Sequence, residues 1–80
     1  MLDDAIRSAL ASHGHLAVDA MTLGDSDNLY TAGLRSHAAI NVMMAIEDQL
    51  DVQFPDHLLK RSTFETIAAI RGAIESVLAA

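Results

Sequence analysis

Apolar residues recur at helical spacing in three stretches, separated by polar segments that hold three of the four glycines and the single proline. From Leu2 to His13 the positions Leu2, Ala5, Ile6, Ala9, Leu10 and His13 follow one another at steps of three and four, the stripe of an amphipathic helix. Asp3 and Asp4 fall in its first turn, where carboxylates complement the helix dipole, and Gly14 follows as the expected C′ residue. The pattern then breaks between Gly14 and Arg35, a long loop carrying Gly24, Gly33 and the polar run Asp25-Ser26-Asp27-Asn28. Connections of this length are normally functional or pinned by their own side chains. Val18, Met21, Leu23, Leu29 and Leu34 are the candidate pins, and Asp27-Asn28 can start a short helical turn.

A second helix is predicted over Ser36–Leu50. Spacing residues at about 100° puts Ala39, Val42, Met43, Ile46 and Leu50 on one side, with Ala38 and Ala45 at its edge, and that side should face the core. Ile40 and Met44 fall instead on the opposite face, among His37, Asn41, Glu47 and Asp48. They either widen the buried stripe or form an apolar contact spot on a polar face. Pro55–Lys60 reads as a short third helix, with Pro55 near its start and Leu58 and Leu59 closing one end of the bundle. Ser62-Thr63-Phe64-Glu65 fits a capping box. The last helix extends from there to about Leu78, burying Ile67, Ile70, Ile74, Val77 and Leu78, with Gly72 placed for close helix packing. The expected fold is all-α, a small four-helix bundle with one short helix, over residues 1–80 as a single domain.

Composition narrows the function. Eighty residues bury only about 60–70% of their unfolded surface, too little core to support a roomy active-site cleft. Three aromatic residues leave the core to Ala, Leu, Ile, Val and Met, which suits helices. The net charge of −6, from eleven acids against five bases, argues against non-specific nucleic-acid binding, which needs a basic face. Without cysteine there is no disulfide, no thiolate metal cluster and no built-in thiol, so any thiol chemistry must be imported. The opening residues lack the basic-then-apolar pattern of a leader and no apolar run approaches membrane-spanning length, so the expectation is a soluble, cytoplasmic monomer.

Candidate chemistry centres on Ser36, at the junction of loop and second helix. Its oxygen can cap the helix by accepting a backbone N–H. Equally, a phosphodiester on the hydroxyl would lie where unpaired N–H groups favour an anion. Catalysis by Ser36 with His37 is disfavoured, because adjacent helical residues point about 100° apart and no carboxylate is placed by sequence to orient the imidazole. A small hydrolase is therefore a third-rank reading. His13-Gly14-His15 offers two imidazoles without an obvious third ligand, so no metal is expected. Glu47, Asp48, Asp51 and Asp56 cluster around the end of the second helix, and such clusters are usually a solvated face.

The order of a helix, a long loop, Gly33-Leu34-Arg35-Ser36 opening a second helix, the Ala45-Ile46-Glu47-Asp48 run, then Phe54-Pro55-Asp56 and a last helix resembles the acyl carrier protein family over nearly the whole chain. The resemblance implies that Ser36 carries covalent 4′-phosphopantetheine, whose terminal thiol holds an acyl, aminoacyl or peptidyl group as a thioester, in a non-catalytic carrier. It implies three partners: a phosphopantetheinyl transferase, an acyl-loading enzyme and a downstream acyl-accepting enzyme. It makes the second-helix face, with Arg35, His37, Ile40, Asn41, Met44 and Glu47, a docking surface. Arg35 stands where the family usually has aspartate and His37 where it has leucine or isoleucine. The first half of the second helix also lacks the acids that basic fatty acid synthesis enzymes meet, so a different loading enzyme is implied. The chain looks more like the free-standing carriers charged with amino acids by synthetase-like amino acid:carrier protein ligases. The competing readings are a fatty acyl or polyketide-type carrier, and a helical interaction module without a prosthetic group in which Ser36 is only a cap.

Overall fold

The computed structural model describes residues 2–79. Three α-helices, α1 (Leu2–His13), α2 (Ser36–Leu50) and α3 (Ile67–Ala79), surround one apolar core, and there is no strand among the described residues. Helices α1 and α2 form as the periodicity predicts. Ile6 and Leu10 from α1, Val42 and Ile46 from α2, and Ile67, Ile70 and Ile74 from α3 are fully buried, with Leu29 from the loop among them. Each such side chain contributes about 1.5–3 kcal/mol of transfer free energy, and together they hold helices that would be marginal alone.

The fourth, short helix is replaced by 3-10 turns at Asp56–Leu58 and Arg61–Phe64. Pro55 stands outside the first of these as its cap, because a segment this short closes i→i+3 bonds before an α-turn can propagate. Leu58 is half-buried, but Leu59 is exposed instead of closing the bundle. The capping box at Ser62 does not form. Ser62 lies within the second 3-10 turn, and α3 is opened by Thr66, whose Oγ1 accepts the Ala69 N–H at 2.9 Å. At the far end Val77 is half-buried and Leu78 exposed, since α3 outruns the core. Gly72 is exposed with no neighbour within 4 Å of a built Cβ, so it does not mediate close packing.

The long loop is held by backbone bonds and ion pairs as much as by apolar pins. Leu29 and Leu34 are buried and Leu23 packs on the core, whereas Val18 and Met21 are exposed and Ala20 takes the buried place. Gly14 does not itself enter the left-handed region. Its amide reaches the Leu10 carbonyl at 2.8 Å, a Cβ would lie 2.7 Å from that oxygen, and the left-handed turn falls on His15 at φ 52°. Asp19 caps a 3-10 turn at Ala20–Thr22, and the Asn28 carboxamide accepts the Thr31 N–H, the turn expected there. The Leu29 N–H reaches the Glu65 carbonyl at 2.8 Å and the Ala68 N–H the Asp25 carbonyl at 3.1 Å, tying the loop to the entry of α3. Arg7 donates to the Ala20 and Leu23 carbonyls and to Asp25, while Arg71 clamps Asp25 and Asp3, each at 2.7 Å. Gly33 has φ 114°, and a Cβ there would approach the Ala17 N to 3.0 Å; both facts demand glycine three residues before Ser36.

Candidate functional site

Ser36 is the first residue of α2, not its cap. Arg35 takes the cap position with extended backbone and makes no capping bond, because its side chain carries no acceptor for the helix amides. The first helical bond of this turn runs from the Ala39 N–H to the Arg35 carbonyl at 2.9 Å. The N–H groups of Ser36, His37 and Ala38 therefore have no acceptor within the helix, and they mark its positive end. The Ser36 side chain is exposed and makes no hydrogen bond among the described residues.

An open groove of roughly 430 Å³ runs beside it, walled by Tyr30, Ala39, Ile40, Met43, Leu59 and Phe64 and edged by Lys60 and Arg61. Two devices shape this wall. The Phe64 ring stacks on Phe54 with centroids 6.1 Å apart, and the Arg61 guanidinium lies 3.8 Å over the Tyr30 ring. The Tyr30 hydroxyl donates to the Arg61 carbonyl at 2.7 Å. Burial pushes the Tyr30 phenol up against the opposing pull of Arg61, so the ring is neutral at neutral pH.

On α2, Ile40 and Met44 are 55% and 52% exposed, one turn apart, with Asn41 exposed beside them. They form an apolar spot outside the core, distinct from Ala38, Ala39, Val42 and Ile46, which are buried. Met43, Ala45 and Leu50 pack at the core's margin. Arg35 and His37 are exposed, and their side chains make no hydrogen bond or ion pair among the described residues. Glu47 differs from the others: it is half-buried and its carboxylate accepts the Phe54 N–H at 2.9 Å, fixing the turn after α2. That turn passes through Asp51, left-handed at φ 53°. Among the described residues no carboxylate bonds the His37 imidazole, and no group of three or more potential ligands is gathered for a metal ion.

Tyr30, Leu59, Lys60 and Arg61 join the site from the loop and the 3-10 turns, and sequence reasoning did not bring them to Ser36. The available signals were the chain's lone tyrosine, in the long loop, and the adjacent Lys60-Arg61 pair. The residues present fit a phosphodiester-linked group: the hydroxyl is free, the neighbouring amides lack acceptors, and the groove leaves room beside them.

A small all-α domain that offers a free hydroxyl at a helix N-terminus, with an apolar spot on the same helix, has the form of a carrier domain. The chain belongs to the phosphopantetheine attachment site family, whose model matches residues 4–74, and phosphopantetheine is its cofactor. It is 39% identical over 77 residues to the aminoacyl carrier protein of Agrobacterium fabrum, covering 96% of this chain and 93% of the relative. Two crystal structures are similar to it, both of an engineered Bradyrhizobium japonicum glycine:[carrier protein] ligase with a carrier protein from Agrobacterium tumefaciens. In the complex with ATP the match has a TM-score of 0.92 at 38% identity, covering 96% of this chain and all of that one. In the complex with AMP the TM-score is 0.87 at 40% identity, over 91% and 97% of the two chains. No helix among the described residues is long and apolar enough to cross a membrane.

Proposed function

We propose that this chain is a non-catalytic aminoacyl carrier, with phosphopantetheine bonded through its phosphate to the Ser36 Oγ. The observation that carries this reading is the exposed Ser36 hydroxyl, free of hydrogen bonds, at the first position of α2 in a chain of this family. The group supplies the thiol that the cysteine-free chain lacks, and on it an amino acid is held as a thioester. The protein's part is presentation. The positive end of α2 favours the phosphodiester charge, and Gly33 and the buried Leu34 fix the approach of the backbone to Ser36. Attachment to a mobile tether raises the effective concentration of cargo at each partner's active site.

Arg35, His37, Ile40, Asn41 and Met44 form the face that partners read, with Ile40 and Met44 as its apolar centre. Glu47 serves that face by holding its far turn in place. The partners are a phosphopantetheinyl transferase, an amino acid:carrier protein ligase and an acyl-accepting enzyme. Kinship with a carrier that forms a complex with a glycine:[carrier protein] ligase supports the second of these. On this reading the carrier works in the cytoplasm, where ATP for the ligase is at hand, as a monomeric single domain.

Co-expression with a phosphopantetheinyl transferase, followed by intact-mass measurement, tests the attachment. The wild type should gain the mass of one phosphopantetheine and Ser36→Ala none. Equal gain by Ser36→Ala, or no gain by either, would refute the assignment. Incubating the modified protein with the glycine:[carrier protein] ligase, glycine and ATP should then add one glycyl mass.

A further inference from the structure

The five Lys and Arg side chains of this acidic chain are divided between two tasks. Arg7 and Arg71 are consumed by architecture, paired with Asp25 and Asp3. The other three, Arg35, Lys60 and Arg61, form no ion pair among the described residues, although acids outnumber bases more than twofold. All three lie at Ser36. Arg35 immediately precedes it, and Lys60 and Arg61 edge the groove that Ser36 opens onto.

Arg61 is held over the Tyr30 ring, so it is ordered without being neutralised. The Glu65 carboxylate is close enough for Tyr30 to feel its charge but pairs with none of the three cations. Between the cations the groove wall is apolar, and Ile40 and Leu59 are exposed on it. The acids Glu47, Asp48 and Asp51 gather at the other end of α2. The face thus has a polarity, positive around the serine and negative at the far turn, in a molecule whose net charge is −6. A partner whose rim is basic all round meets repulsion at the serine end, where contact is closest.

We infer that Arg35, Lys60 and Arg61 form a cationic collar that docks onto carboxylates at the entrance of the loading ligase's active site, with an apolar side chain of the ligase entering the groove between them. The inference rests on the reading of Ser36 as the attachment point. Charge complementarity of this kind acts mainly on the encounter rate and on the rejection of wrong partners. The Lys60 carbonyl caps the second 3-10 turn by accepting the Thr63 N–H, but its side chain makes no hydrogen bond or ion pair among the described residues, so reversing the side-chain charge tests the collar and leaves that bond in place.

The experiment uses the phosphopantetheine-bearing protein and the Bradyrhizobium japonicum glycine:[carrier protein] ligase, with association and dissociation rates measured at low and at physiological salt. Lys60→Glu should slow association about tenfold at low salt and leave dissociation nearly unchanged, and Arg61→Glu should do the same. Lys60→Arg should behave as wild type, and the deficits should shrink as salt is raised. Unchanged or faster association of both reversals would overturn the inference. So would a shift of the phosphodiester ³¹P resonance in the free reversal variants with no effect on association, which would assign the cations to the protein's own prosthetic group. If the wild type neither binds the ligase nor is charged by it, the proposed loading itself fails. If it is charged and the variants match it, only the collar falls.

Discussion

Ile40 and Ile46 are the same side chain on the same helix, and they provide an internal control for where α2 faces. Ile46 is fully buried in the core, while Ile40 is 55% exposed on the face beside Ser36. Truncating Ile46 to Ala removes buried methylenes and leaves a cavity, at a cost of about 3–4 kcal/mol. A domain of this length has a stability of roughly 4–12 kcal/mol, so that loss is about a quarter of it or more. Ile40→Ala removes side-chain surface of which about half is already in water, and should cost no more than about 1 kcal/mol. Urea denaturation followed by circular dichroism measures both. The midpoint of Ile46→Ala should fall sharply and that of Ile40→Ala only slightly, with similar slopes. Loading by the ligase should rank them in the opposite order. Under conditions where both are folded, kcat/KM for Ile40→Ala should drop about 5–30-fold, equivalent to a lost contact of about 1–2 kcal/mol, while Ile46→Ala keeps most of its rate. Equal destabilisation by the two changes would place Ile40 in the core. Normal loading of Ile40→Ala would remove it from the docking face.

Gly72, exposed within α3 and open on all sides, should be improved by Ala, raising stability by about 0.5–1 kcal/mol in a thermal melt without affecting loading. The Arg71 hydrogen bond holds the Asp3 carboxyl below its usual range against the opposing effect of desolvation, and the charges of Arg71 and Arg7 add to the lowering. A carboxyl lowered in the folded state stabilises above its unfolded pKa, and the contribution is lost as pH falls through the folded value. The stability gap between wild type and Asp3→Asn should therefore be constant near neutrality, shrink below about pH 4 and vanish at still lower pH, as followed by urea midpoints across that range.

The parts of this molecule that could be read along the chain are those encoded by short-range periodicity. Helices α1 and α2 follow from apolar steps of three and four, and the same spacing separated Ile40 and Met44 from Val42 and Ile46. Ends and turns were harder, because several residues competed for one role. Ser62 and Thr66 can both open α3, and Thr66 prevails because the preceding residues tighten into a 3-10 turn. Ser36 lost the cap position to Arg35 by a single residue, a shift that periodicity does not register. The groove wall and the Arg7–Asp25–Arg71–Asp3 network were not legible, since they join residues far apart along the chain. Nothing in the local pattern of Lys60-Arg61 distinguishes a groove edge from the basic end of a short helix.

The loop between α1 and α2 is fastened at Leu29 and Asp25 to the residues that begin α3, which lie well beyond the serine in sequence. On the proposed reading of Ser36, recognition of this chain by its partners is consequently a property of the folded whole. A peptide copying the serine and its helix would keep every atom of the modification motif yet lose the scaffold that orients it, and fifteen residues alone scarcely hold a helix in water. Anyone wishing to transplant the attachment point as a compact tag would have to carry the C-terminal third of the chain along with it.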